Sequence, residues 1–183
     1  MSRSGFKLPS RMRRASYIPL ALVALSTLPA KGQSFDDAVR ANTQLATALC
    51  LQVMIDRTIA QTTFGASGFA YRAIDRGTNE HGIALGLDHF FDAPADTVKA
   101  EVDFPDRNAG ICMVYTTHLA EPAFADIVAA TIFQRFPGAQ VRGPTEWFIS
   151  TPSGLPLIVS TSTINRHRYE APGTVMVSMG YPG

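Results

Sequence analysis

Cysteine is scarce in this chain. Its 183 residues hold two, Cys50 and Cys112, and a single tryptophan, Trp147. Two cysteines so far apart cannot form a Cys-x-x-Cys redox pair. Histidine is sparse as well: His81, His89, His118 and His167 are scattered, and their spacing fits no established metal-ligand pattern. Asp88, His89 and Asp92 are the nearest approach to a ligand set from one loop. Met176 and Met179 stand three apart, which in a strand sends them to opposite faces and argues against a shared copper ion. No glycine-rich phosphate loop follows a strand, so nucleotide binding has no support. Gly65-Ala66-Ser67-Gly68 falls short of a nucleophile elbow, because the second glycine comes one residue early and no strand precedes it. No cofactor is expected.

Long apolar runs are also missing. The longest, Tyr17 to Leu28, is too short to span a bilayer and contains Pro19. Its surroundings give it a different meaning. Arg11, Arg13 and Arg14 precede it and Ala30-Lys31-Gly32 follows, which is the order of a cleaved secretory signal over residues 1–32. Met12 is an alternative start. Arg13-Arg14 invites a twin-arginine route, but Ala15-Ser16 follow where that signal carries a large apolar residue. Cleavage leaves residues 33–183 as a single domain beginning at Gln33, with no transmembrane segment.

Cleavage also changes the charge. Six of the sixteen basic residues (Arg3, Lys7, Arg11, Arg13, Arg14 and Lys31) leave with the signal, so ten remain against fifteen acidic ones, a net charge near −5. An acidic product is a poor partner for nucleic acid or anionic membranes. The expected location is the periplasm of a Gram-negative bacterium or the medium, where two cysteines favour a disulfide over buried free thiols. A Cys112 nucleophile conflicts with that bond, and its apolar neighbours disfavour the thiolate.

Asn108 to His118 reads as the segment around which the fold is organised. Ile111, Met113 and Tyr115 point to one face and Cys112, Val114 and Thr116 to the other, so apolar groups on both faces suit a covered central strand. Cys50 lies in a helical pattern that starts at the cap Ser34-Phe35-Asp36-Asp37 and runs to about Gln61, before Thr62 to Gly68 breaks it. Strands are expected over Phe69–Ile74, Gly82–Leu87 and Val98–Phe104, with His89 to Pro94 as a loop. Pro122 opens a second helix with a stripe of Phe124, Ile127, Val128, Thr131 and Ile132 that ends at Pro137-Gly138. Strands near Thr145–Ser150, Leu155–Ile164 and Thr174–Met179 follow. The order predicts an α+β fold, with two helices on one face of a mainly antiparallel sheet of six or seven strands, the first helix pinned to the central strand by Cys50–Cys112. A diverged repeat of one helix plus three strands is conceivable, without residue-level self-similarity to support it.

Two groups are candidates for contact. Arg166-His167-Arg168-Tyr169 gathers positive charge at a hairpin tip and would clamp a carboxylate, a phosphate or an acidic partner; the plainer reading is a solvated tip balanced by Glu170. Trp147, with Phe148, Tyr71, Phe90 and Phe91, marks either a partner surface or core; core packing is favoured for Phe148 and Phe91, which leaves Trp147 as the main contact candidate. These features predict a small exported binding module for an envelope protein or small ligand. The alternatives are a hydrolase acting on envelope material, which needs a concave site with polar groups converging from different strands, and an envelope structural subunit, which needs an exposed apolar strand edge.

Overall fold

The computed structural model describes residues 34–152, 154–164 and 171–182. The expected signal over residues 1–32 and the Arg166-His167-Arg168 cluster lie outside the described residues.

Helix α1 spans Phe35–Ile55. Ser34 starts it as the sequence suggests: Asp37 donates its N–H to Ser34 Oγ at 3.1 Å, and the Asp37 carboxylate accepts from the Ser34 backbone. The helix ends earlier than its pattern implies. Arg57 adopts φ 57, a conformation that interrupts a right-handed helix. Its guanidinium donates to the Ala109 carbonyl at 3.1 Å and lies 4.7 Å from the Tyr181 ring centre. A short helix α2, Ala60–Ala66, then restarts the turn. Among the described residues three α-helices therefore stand where two were expected; the third, α3, spans Glu121–Arg135 with Phe124, Val128, Thr131 and Ile132 buried.

Among the described residues eight strands form one sheet: β1 Ala70–Asp75, β2 Leu87–Asp92, β3 Lys99–Val102, β4 Ile111–Thr116, β5 Gln140–Gly143, β6 Glu146–Ser150, β7 Pro156–Ile164 and β8 Thr174–Gly180. Their spatial order is β1-β2-β3-β4-β8-β7-β6-β5, and every neighbouring pair is antiparallel. Each half runs a helix and then a four-strand meander, and the last strands of the two meanders meet at the centre. Each half thus holds four strands where the conceived repeat has three, and the first half carries a second helix, α2, that the other lacks among the described residues.

Two strand assignments differ from expectation. Residues 82–86 form the end of a long hairpin, and the strand lies at β2. Gly82 and Gly86 have φ +74 and +83, outside strand geometry. Moving the strand to Leu87–Asp92 lets Phe90 and Phe91 bury on opposite faces, both with no exposed surface. The other difference is β5, a four-residue edge strand with too little alternation to read.

Side-chain alternation sorts the sheet into two faces. Register places Val102, Cys112, Met179, Val159 and Trp147 in one row across five strands. All are buried in a single core with Leu49, Cys50 and Val53 of α1 and Phe124, Val128 and Ile132 of α3. The disulfide Cys50–Cys112, with a Cα–Cα distance of 5.6 Å, joins α1 to β4 within that core. The opposite row is mixed: Arg72, Phe90, Glu101, Met113, Ser178 and Ser160. No helix among the described residues is long and apolar enough to cross a membrane.

Candidate functional site

Antiparallel register brings the end of β1, the start of β2, the end of β3 and the start of β4 to one side of the sheet. A cleft of about 610 Å³ opens there. Its walls are two loops, each built by local hydrogen bonding.

The first wall is the β1–β2 hairpin. The Asp75 carboxylate accepts the Gly77 N–H at 2.8 Å, and Asn79 Oδ1 accepts those of His81 and Ile83, both at 2.9 Å. Such Asx contacts fix a loop without requiring burial. They hold Leu85 and Leu87 toward the cleft while both remain exposed. The second wall is the β3–β4 connection. Asp103 accepts N–H groups from Phe104 at 2.9 Å, Gly110 at 3.0 Å and Ile111 at 3.2 Å. One carboxylate thus closes the loop on itself. A side chain at Gly110 would force the Asp103 carboxylate to shift, since a Cβ there would lie 2.9 Å from Asp103 Oδ2. The loop presents Phe104 with the Arg107 guanidinium 4.2 Å above its ring centre. Helix α2 braces it, with the Gln61 N–H donated to the Pro105 carbonyl at 2.9 Å.

Polar groups converge between these walls. The Tyr71 hydroxyl and His89 Nδ1 are hydrogen bonded at 2.8 Å, tying β1 to β2. Arg76 Nε lies 3.5 Å from the Asp88 carboxylate. Glu101 accepts from the Tyr115 hydroxyl at 2.7 Å. The cleft is thus amphipathic: Tyr71, Leu85, Leu87 and Phe104 are large, exposed and apolar, and they alternate with Arg, Asp, Glu and His groups from β2, β3 and the two loops. The volume falls within the range of small-ligand sites, with a lining more polar than most of them have.

Two further hollows among the described residues are smaller. One, about 180 Å³, lies beside Asp96, Lys99 and His118. Its floor is polar: Asn42 donates to Thr97 Oγ1 at 2.7 Å and Thr116 to the Thr97 carbonyl at 2.8 Å. The other, about 290 Å³, lies beside Phe136, Ala139 and Ile149. No group of three or more His, Cys, Asp or Glu side chains among the described residues is arranged to hold a metal ion.

Trp147 is 3% exposed and points into the core beside Ile149. Phe148, on the opposite face, is half-buried under Arg142, whose guanidinium sits 3.9 Å from the ring centre. Tyr71 alone of the five aromatic candidates reaches the cleft. The remaining cleft residues carry no motif. Their only sequence signals are Phe104, which ends an alternating strand just before Pro105, and the glycines around Leu85.

Comparison with family models, with curated proteins and with solved structures gives no match, so geometry alone carries the functional reading.

Proposed function

We propose that the mature chain is a small exported binding module and that the cleft at the β1–β4 end is its ligand site. The carrying observation is the clustering of exposed apolar groups. Tyr71, Leu85, Leu87 and Phe104 are four of the large hydrophobic side chains left in water, and they share one concavity with charged groups from different strands. Exposed apolar surface inside a polar-rimmed hollow is the usual sign of an interaction site. Export rests on the leader pattern over residues 1–32, and the Cys50–Cys112 bond suits an oxidising compartment.

The polar groups favour holding over reacting. Asp103 is committed to backbone amides and Asp88 faces Arg76. Neither is hydrogen bonded to a serine, threonine or cysteine side chain among the described residues, so neither activates a hydroxyl or thiol for attack. The test is a titration of the oxidised protein with acetylated aromatic and aliphatic amino-acid amides and with muropeptides, read by amide chemical shifts. Saturable shifts at Tyr71, Leu87 and Phe104, lost in Tyr71→Ala/Phe104→Ala, support the site. Absent shifts, or shifts confined to other regions, refute it.

A further inference from the structure

We infer that the ligand class is an extended polypeptide segment of a partner protein, added to the sheet as a ninth strand along β1; this rests on the cleft reading above.

The outward direction of each backbone group on β1 can be derived. Arg76 donates its N–H to the Gly86 carbonyl at 3.0 Å. In an antiparallel pair the hydrogen-bonded residues alternate. Ala70, Arg72 and Ile74 therefore turn their backbone groups toward β2, and Tyr71, Ala73 and Asp75 turn theirs away from the sheet. Phe69 confirms the alternation from the other end, because its outward N–H goes to the Phe64 carbonyl of α2 at 3.1 Å. Beyond that point the row continues uncovered. Tyr71, Ala73 and Asp75 are exposed, and their outward N–H and C=O groups make no hydrogen bond among the described residues. A row of alternating donors and acceptors at strand spacing is satisfied by another strand.

The two sheet edges differ. Edge strand β5 has four residues, and its register breaks between Val141 and Gly143. Shortness and a bulge are common protections against strand addition. Edge strand β1 has six residues in unbroken register, without proline, lysine or a bulge. The charge at its middle does not guard it. Arg72 folds back over β2, bonding the Asp92 carboxylate at 2.9 and 3.3 Å and lying 4.7 Å from the Phe90 ring centre.

Two observations identify the occupant. A second copy joined edge to edge through β1 would engage six strand residues on each side, short of the roughly 20–30 a side of a stable dimer, whereas a peptide segment binds through strand hydrogen bonds and side-chain pockets without an interface of that size. A partner segment gains more, because Tyr71 belongs to both the edge row and the cleft, so a strand along β1 can seat a side chain beside Leu87 and His89. Asp75 ends the row with an exposed carboxylate, which complements a lysine or arginine in the segment. The expected ligand alternates apolar residues and carries a basic one near the end that faces Asp75.

The experiment uses the oxidised protein expressed from the full-length sequence and residue-resolved hydrogen exchange. The probe is a blocked nonapeptide of alternating valine and threonine, with a central tyrosine and a lysine at each end. At saturation, exchange of the Tyr71, Ala73 and Asp75 amides should slow at least tenfold, with no change at β5. The same peptide N-methylated at alternate residues should lose that effect. Ala73→Pro should melt like the parent, since its outward N–H serves no internal bond, yet bind at least tenfold more weakly. Cleft shifts without β1 protection, or equal binding of the N-methylated peptide, would overturn strand addition and leave the cleft reading standing. No response in either region would overturn both. Protection of β1 by self-association without peptide would make a second copy the occupant and overturn the partner segment.

Discussion

Replacing both cysteines by alanine should cost about 4 kcal/mol of stability. The bond closes a loop with a sequence separation of 62. The chain-entropy relation for that length gives about 14 cal/mol/K, or roughly 4 kcal/mol at 25 °C. For a chain of this size each kcal/mol shifts the melting point by roughly 2–4 °C, so Cys50→Ala/Cys112→Ala should melt roughly 8–16 °C below the parent. Circular dichroism of the two proteins, both without reductant, measures the difference. Accessibility gives a second reading. Cys50 and Cys112 have no exposed surface, so a thiol reagent reaches the bond when α1 lifts from β4, and reduction should track unfolding. A melting difference under about 3 °C, corresponding to about 1 kcal/mol, would refute the staple. Rapid reduction of the native protein would refute its burial.

Further expectations concern the cleft walls and the left-handed turn at Ala95. Asp103→Ala should cost about 1–2 kcal/mol by leaving the Phe104, Gly110 and Ile111 amides without their acceptor, and chemical denaturation measures it. Gly110→Ala should cost about 1–3 kcal/mol, because its Cβ meets the same carboxylate at 2.9 Å; a neutral result would mean that the loop is loosely held. Ala95 lies at φ 60, so Ala95→Gly should add up to about 1 kcal/mol by removing the left-handed penalty, net of glycine's greater chain entropy. A loss of stability there would refute the strain.

The parts of this fold that were legible in sequence are those with local causes. Ser34 and Asp37 cap α1 through side chains three residues apart. Cys112, Val114 and Thr116 alternate because β4 is covered on the helix side. The disulfide followed from having only two cysteines to pair. The parts that were not legible depend on distant contacts. Nothing near Arg57 signals a helix break; its left-handed backbone is held by Ala109 and Tyr181, far along the chain. The glycines at 82 and 86 looked like weak strand residues, but their positive φ makes them hairpin residues instead. The cleft is the extreme case. Tyr71, Leu87 and Phe104 meet because β1, β2 and β3 pair in one register, and a single residue of slip would turn each side chain to the other face. Trp147 shows the opposite situation: its alternation with Phe148 implied one inward and one outward ring, but the sequence favoured Phe148 as the inward one, and register with Val159 reverses that choice.

The central claim is that this protein holds a ligand in the cleft between Leu85, Tyr71 and Phe104. Native mass spectrometry of the protein purified from its own host without reductant tests it most directly, with Tyr71→Ala/Phe104→Ala purified in parallel. The expected parent begins at Gln33, is two hydrogens lighter than its reduced mass, and carries a bound peptide or small molecule that the variant has lost. A bare parent, or a bound species retained equally by the variant, would contradict the account.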